Sequence, residues 1–261
     1  MQTHVKKQVF DALLAYIHDQ LGFRFNASNR EKLELKLRNI RLPEQWPDLE
    51  GFLQGLKAGD ALAQDLLVRA ITVNHTFFFR EKPQIDYMLS VTKELKIQNP
   101  LIWSAASSTG EEAYSLALTL LSNGYRQFRI VASDVNAKVL RHMHQGLYHE
   151  SRLENLSHAF LRTYFDKASE GYWHIKSYIR QYVAIKKVNL LSNLTFSNKY
   201  DFIFCRNVFI YFDEHSRNAA LTTLRHNLKV GGYLFLGLTE ALLEPPPGFA
   251  MVAHATYRRI A

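Results

Sequence analysis

Leu101-Ile102-Trp103-Ser104-Ala105-Ala106-Ser107-Ser108-Thr109-Gly110-Glu111-Glu112, continuing through Ala113–Leu121 to Phe128-Arg129-Ile130-Val131-Ala132-Ser133-Asp134, is the stretch that decides the fold. It runs from a short apolar strand into a turn of small residues, then an acidic pair opening a helix, then a second strand closed by an acid. Small residues let a backbone turn approach a ligand closely, and an acid ending the next strand suits ribose hydroxyls. The turn carries a single glycine, Gly110, and Glu111 and Glu112 stand where a pyrophosphate would need bare N–H groups. A dinucleotide is disfavoured there. An adenosyl group bearing a cationic sulfonium and an ammonium, as in S-adenosylmethionine, is favoured. The plainer alternative is an ordinary strand–turn–helix of an α/β domain.

Outward from this stretch, strand and helix alternate, which predicts a mainly parallel sheet with covering helices. Strands are expected near Leu101–Ala105, Phe128–Ser133, Val183–Val188, Asp201–Cys205 and Tyr233–Gly237. Helices are expected near Glu111–Leu121, Asn136–Gln145 and Glu214–Leu228. Asp213 is the expected N-cap of the last helix, Leu221, Leu224 and Leu228 its stripe, and Gly231-Gly232 its end. Residues 146–182 break the alternation, and the segment Tyr172-Trp173-His174-Ile175-Lys176 predicts a small antiparallel insertion beside a short helix at Leu156–Tyr164. Before the α/β part the chain reads as helical. One stripe is Val5, Val9, Leu13, Tyr16 and Ile17, and a second is Leu33, Leu37 and Ile40. After a turn marked by Pro43 and Pro47 come Phe52, Leu53 and Leu56, then Leu62, Leu66 and Ala70. The expected organisation is a helical domain at 1–72 and an α/β domain at 73–261 with the insertion at about 146–182.

The chain has 261 residues, enough for one large or two small domains with a proper core, and 47% hydrophobic residues. Its single cysteine, Cys205, allows no intramolecular disulfide, and a buried strand thiol is the expected reading of it. There is no run of eighteen apolar residues and no hydrophobic signal core, so a cytoplasmic location is expected. A net charge of +8 favours an acidic partner without choosing among nucleic acid, lipid headgroups and a carboxylate-rich protein. The histidines are scattered and no cysteine pair supports zinc.

Two further segments carry chemistry. In Asn74-His75-Thr76-Phe77-Phe78-Phe79-Arg80 the phenylalanines suit a hydrophobic plug, whereas Asn74, Thr76 and Arg80 are not needed for packing and are spaced to present donors together. In Asp201–Asp213 a buried strand delivers Arg206-Asn207 at its carboxyl end, where open α/β sheets bind ligands, and Tyr211 follows in the connection.

Taken in order, Thr76–Arg80, Ser107–Glu112 with Tyr114-Ser115, Ala132-Ser133-Asp134, Asn189-Leu190-Leu191, Phe204–Val208 with Ile210-Tyr211-Phe212, and Gly231–Gly237 resemble the CheR-type chemotaxis receptor methyltransferases over nearly the whole chain. The resemblance implies an α/β, Rossmann-like, S-adenosylmethionine-dependent methyltransferase domain with an N-terminal all-helical domain and a small antiparallel β insertion. It implies an enzyme that esterifies glutamates on the cytoplasmic helices of chemoreceptors. Carried over by position, it implies that Asn74, Thr76 and Arg80 contact the methionine end of the cofactor and that Asp134 holds the ribose. Asn189, Leu190, Asn207 and Val208 would border the adenosyl group, and one of Glu111 and Glu112 would contact the cofactor. Arg80 and Tyr211 would lie nearest the transferred methyl as the catalytic pair. The chain departs from the family pattern at Ala105-Ala106-Ser107-Ser108, at Ala113, and at Gly237-Leu238-Thr239-Glu240, which replaces the usual His-Ser-Glu.

A glutamate is already a carboxylate at neutral pH, so such a reaction needs positioning rather than a base. The basic segment Arg30, Lys32, Lys36, Arg38 and Arg41 then suits docking to an acidic receptor bundle, although a solvated helix face is the plain alternative. The compact insertion favours a member independent of a receptor C-terminal tail peptide. A monomer, no metal, no nucleic acid and no membrane insertion are expected. The competing readings are a nucleic-acid methyltransferase and a non-catalytic receptor adaptor of the same fold. Against the first, Phe204–Val208 lacks the Asn/Asp-Pro-Pro-aromatic pattern of base aminomethylases.

Overall fold

The computed structural model describes residues 7–261, with the backbone alone at 27 and 28. The chain divides into two compact units: the chain up to Val73 with Tyr211–Asn218, and Asn74–Ile210 with Ala219–Ala261.

The helical unit is built from α1 (Lys7–Leu21), α2 (Ala27–Arg38), α3 (Leu49–Lys57) and α4 (Ala61–Ile71). Asn26, Asp48 and Asp60 cap the last three, each side chain accepting from a backbone N–H in the first turn. Helix α1 buries Phe10, Leu13, Ile17 and Leu21, so Phe10 takes the place expected of Val9, which is half-buried; Val5 lies outside the described residues. Helix α2 buries Leu33 and Leu37, but it ends at Arg38, and Ile40 falls beyond it. The expected stripe of α4 is also corrected. Ala63, Leu67, Val68 and Ile71 are buried, while Leu62 is exposed and Leu66 and Ala70 are half-buried. The cause is the break at Gly59 (φ +78°) and the cap at Asp60, which restart the helical phase after α3.

The α/β unit opens with α5 (Lys82–Glu94) and β1 (Leu101–Ala105), then α6 (Glu111–Ser122), β2 (Arg129–Asp134) and α7 (Ala137–Gln145). The insertion follows as β3 (Leu147–His149), α8 (His158–Tyr164), β4 (Phe165–Ser169), β5 (Tyr172–Ile175) and α9 (Ser177–Arg180). The sheet resumes with β6 (Val183–Lys187) and β7 (Tyr200–Cys205). Helix α10 (Glu214–Asn227) leads to β8 (Leu228–Leu236), β9 (Phe249–Ala253) and β10 (Thr256–Arg259). Among the described residues the main sheet has the order β6-β2-β1-β7-β8-β10-β9, and the insertion forms a separate sheet β3-β5-β4 with antiparallel pairing. The first five strands of the main sheet pair in parallel.

Parallel strands covered on both faces must be apolar throughout, and Ile102, Trp103, Phe202, Phe204 and Phe235 are fully buried. Helix α6 is buried from Ala113 to Leu121, which explains why its apolar positions do not form a narrow stripe. From β1 the chain steps outward to β2 and β6 and then returns to β7 on the other side of β1. The order therefore reverses between β1 and β7, and the crevice outside their carboxyl ends is where such sheets take ligands. Ala105 of β1 is in register with Cys205 of β7, so the turn after β1 and the turn after β7 lie side by side.

Two expectations at the C-terminal end are corrected. Helix α10 stops at Asn227, whose buried amide donates to the carbonyls of Leu194 (2.6 Å) and Thr223 (2.8 Å) and accepts from Phe196 N (2.7 Å). Leu228 is thus the first residue of β8, and Gly231-Gly232 lie inside that strand. They form a bulge, since Tyr200 pairs with Leu228 but Phe202 pairs with Tyr233. Strands β9 and β10, antiparallel and at the sheet edge, carry too little alternation to be read from sequence and gain their place by pairing with β8.

Candidate active site

The turn after β1 places three residues in the left-handed region: Ala106 (φ 57°), Ser108 (φ 51°) and Gly110 (φ 97°). This winding aims successive N–H groups inward. Ser107 N donates to the carbonyl of Ser133 (2.8 Å), and Ser108 N donates to Asp134 Oδ2 (2.9 Å). The other carboxylate oxygen of Asp134 accepts from Asn136 N at 2.9 Å. Burial pushes the Asp134 carboxyl above its ordinary range, and these N–H donors oppose the shift. A side chain at Gly110 would run into Met143 and into the Tyr148 hydroxyl, which itself donates to the carbonyl of Thr109 (2.8 Å). The Ser108 hydroxyl, enclosed in the same turn, has no hydrogen-bond partner.

The two acids diverge. Glu112 accepts from Ser104 Oγ (2.6 Å) through one oxygen and from Arg206 Nε (2.7 Å) through the other. Glu111 is 1% exposed, accepts from Thr109 Oγ1 (2.6 Å), and has Arg152 3.7 Å from its other oxygen. Burial raises the Glu111 carboxyl above its ordinary range.

The segment bearing Asn74, Thr76 and Arg80 is held to this crevice by its backbone. Arg152 donates to the carbonyl of Thr76 (2.7 Å), Asn155 to that of Phe78, and Arg206 to that of Arg80 (2.8 Å). The N–H of Phe79 donates to Ser115 Oγ on α6 (2.8 Å). Phe79 (φ 57°) and Glu81 (φ 52°) sit in the left-handed region, a conformation that persists only when the surroundings over-determine it. Asn74 is half-buried and Thr76 is buried. The half-buried Arg80 donates to the carbonyl of His75 (3.0 Å) and covers the Phe77 ring at 5.8 Å.

Arg206 is the hub of the site. Its side chain, 2% exposed, also reaches Gln84 Oε1 (3.3 Å) and Glu81 Oε2 (3.4 Å). The guanidinium is buried with two carboxylates and a carbonyl, the arrangement in which a buried cation is tolerated. Next to it, Asn207 adopts φ 61° and donates from Nδ2 to Glu81 Oε1 (3.4 Å). Val208 is half-buried in the same turn. On the other flank, Val188 N donates to the carbonyl of Asp134 (3.1 Å), which carries Asn189 and the buried Leu190 to the end of β2. Asn189 closes its own turn by accepting from Leu191 N at 3.0 Å.

The α/β unit therefore brings together the loops bearing Asn74, Thr76, Arg80, Glu111, Glu112, Asp134, Asn189, Leu190, Asn207 and Val208. Tyr211 belongs to the helical unit, where its ring meets Phe23 at 5.5 Å and its carbonyl accepts from Arg24 N (2.8 Å). Sequence reasoning noticed Arg206 only as half of a polar pair, and it missed Glu81, Gln84, Arg152 and Glu240. The retained glutamate in Gly237-Leu238-Thr239-Glu240 was the one available signal for the last of these. Cys205 is buried and its thiol is pushed well above the ordinary range by burial, which suits packing and not nucleophilic attack. Among the described residues no group of three His, Cys, Asp or Glu side chains is placed to hold a metal.

Residues 74–258, which contain every one of these loops, match the family described as CheR methyltransferase, SAM binding domain. The chain is 28% identical to a chemotaxis protein methyltransferase of Borreliella burgdorferi, over 99% of this chain and 96% of the relative. It is 32% identical to chemotaxis protein methyltransferase 2 of Vibrio cholerae, over 87% and 83%. With chemotaxis protein methyltransferase 1 of Pseudomonas aeruginosa the identity is 29%, over 93% of each. On this match over residues 74–258, insertion included, the chain belongs to the CheR methyltransferase family.

Proposed function

We propose that this chain transfers a methyl group from S-adenosylmethionine to glutamate side chains of chemoreceptors, forming glutamyl methyl esters in sensory adaptation. The observation that carries the reading is the family match across the whole crevice between β1 and β7, together with the bonds that tie the Arg80 segment to it.

The residues present fit the cofactor. The enclosed Ser108 hydroxyl lacks a partner, and a buried polar atom left over in a ligand crevice is matched by a polar ligand group. Asp134, at the end of β2 beside that hydroxyl's turn, is the residue to hold ribose hydroxyls. Asn189, Leu190, Asn207 and Val208 would border the adenosyl group, and Asn74, Thr76 and Arg80 the methionine end. One of the two acids would contact the cofactor: Glu112 is tied to Ser104 and Arg206, and Glu111 to Thr109 with Arg152 beside it. When bound, S-adenosylmethionine supplies a methyl group already activated on a sulfonium.

The protein's task is then positioning. A glutamate with an ordinary pKa of about 4.3 arrives as a carboxylate, so no side chain has to remove a proton. Arg80 would orient that carboxylate without holding it tightly, since uniform binding of the starting charge would not raise the rate. Arg206, bonded to the Arg80 carbonyl and to Glu112, sets where Arg80 stands. Tyr211, four residues after Asn207 along the chain, is the residue expected to shape the approach of the methyl group.

The docking surface we favour is α2 with the residues after it. Arg30 is paired with Asp11 (2.7 Å) and Arg38 with Glu34, so the charge on offer to an acidic receptor helix comes from the exposed Lys32, Lys36 and Arg41. The insertion's β4 and β5 are joined at Glu170-Gly171, and this compactness favours independence from a receptor tail peptide. A cytoplasmic monomer acting on receptor cytoplasmic domains fits this reading; no helix of the described residues is long and apolar enough to cross a membrane.

A transfer assay with tritiated methyl donor and purified receptor fragments tests the proposal. Base-labile label on the receptor is the expected result. Label on RNA or DNA would establish the nucleic-acid reading, and no transfer at all would establish an adaptor.

A further inference from the structure

The turn that carries Asn207 is held by a group with no assigned role. Glu240 follows β8 in a short 3₁₀ turn and is buried. Its Oε2 accepts from Asn207 N (2.6 Å) and Gly237 N (2.9 Å), and its Oε1 accepts from Ile210 N (3.1 Å). The N–H of Phe209 adds a fourth donor. One carboxylate thus receives the backbone donors of the turn after β7 together with that of the residue just after β8. Such charge-assisted bonds are short and strong, and without them these inward N–H groups would be unsatisfied.

The geometry is specific to Asn207. At φ 61° this residue is in a region that side chains other than glycine adopt at a cost, asparagine least of all. The turn keeps that conformation because Glu240 takes its N–H while Glu81 takes its Nδ2. Gly237 completes the fit. A Cβ there would lie 2.5 Å from Glu240 Oε2, 2.8 Å from Asn207 Nδ2 and 3.0 Å from Asn207 N. Glu240 is too deeply buried behind the turn to serve as a surface contact itself.

We infer that Glu240 is a positioning residue for the cofactor, acting through the left-handed turn at Asn207 and depending on Gly237 to let the two meet. This rests on the reading that Asn207 and Val208 border the adenosyl group. Three consequences follow for the full-length chain. Glu240→Gln, which turns an amide N–H₂ toward backbone donors, weakens the affinity for S-adenosylhomocysteine at least tenfold by calorimetry. In the Asn207→Ala background the same change costs under threefold, because the residue it positions is already gone. Without any ligand, the amides of Asn207 and Ile210 exchange hydrogen at least tenfold faster in Glu240→Gln.

A purely structural role would lower the unfolding midpoint but leave the affinity of the folded protein within twofold of the parent. That result, or equal losses in the two backgrounds, overturns the inference while the cofactor reading stands. Should Glu240→Gln not fold, Gly237→Ala serves in its place. The backbone there (φ −59°) accepts alanine, so only the added methyl perturbs the contact. The expected loss is again at least tenfold, and unchanged affinity in Gly237→Ala overturns the inference. If the parent chain itself binds no S-adenosylhomocysteine, the cofactor reading fails first and this inference with it.

Discussion

The helical unit and the α/β unit use the same charged residue types in opposite ways. In the helical unit the ion pairs Arg30–Asp11, Arg38–Glu34 and His18–Asp213 lie at the surface, with side chains 20–46% exposed. In the α/β unit Arg206 is 2% exposed against Glu112 at 11% and Glu81 at 13%. Water screens the first set, so each pair contributes little to stability, and the charge left for a partner is that of the exposed Lys32, Lys36 and Arg41. Water is excluded from the second set, where removing one member leaves the others charged and uncompensated. Buried charge in this molecule builds the crevice, and exposed charge is left to govern encounter.

The sharpest way to break that contrast is Arg206→Met. It strands Glu112 and Glu81 and should cost about 3–5 kcal/mol in urea unfolding. A loss below about 1 kcal/mol would mean that the buried network is not the organiser we take it for. Arg80→Ala comes next. Its guanidinium is only half-buried, so the fold should survive while receptor methylation falls by about a hundredfold or more in single-turnover assays, the scale expected when a positioning contact is lost. Near-normal turnover in that variant would remove Arg80 from the proposed chemistry.

On the helical side, reversing Lys32, Lys36 and Arg41 together should slow association with an acidic receptor fragment by roughly tenfold at low salt and flatten its salt dependence. Reversing Arg30 and Arg38 should do less, because Asp11 and Glu34 already answer them. Equal effects from the two sets, measured by stopped-flow binding, would show that local pairing is irrelevant to docking.

The smallest effect concerns pH. A hydrogen bond donated to Asp213 holds the pKa of His18 above the ordinary 6.5, and backbone and His18 hydrogen bonds hold Asp213 below its ordinary 3.8. His18 therefore contributes stability below 6.5 that is lost as pH rises through its raised value. Asp213 contributes above 3.8 and loses that contribution as pH falls through its depressed value. The pair is fully effective only between those limits, and its worth is under about 1 kcal/mol because both groups meet solvent. His18→Gln should flatten that part of a stability–pH profile measured by denaturant midpoints; an unchanged profile would show that the pair does not couple to folding.

Much of the α/β unit was legible because its signals are local. An apolar strand, a small-residue turn and an acid-led helix each declare themselves within about ten residues, and α6, α7 and β7 lie within one or two residues of where sequence placed them. What failed locally was phase and context. The restart at Asp60 moved the buried stripe of α4 by one position, and Gly231-Gly232 marked a bulge where they read as a helix stop. Tyr211 in the helical unit apart, the site residues named from sequence gather at one end of the sheet, whereas Arg152 and Gln84 lie on segments whose local pattern carries no mark of chemistry.

Sequence alone determined the class of fold, the order of the crevice loops and the family, because strand periodicity, turn chemistry and ordered motifs are written in neighbouring residues. Only the tertiary structure decided which acid pairs with which cation. Glu111 and Glu112 are adjacent in the chain, yet one turns to Thr109 and Arg152 and the other to Ser104 and Arg206. The reason is that burial makes partnership obligatory. Partners drawn from Arg152 in the insertion and Arg206 after β7 come within reach only when the chain has closed on itself.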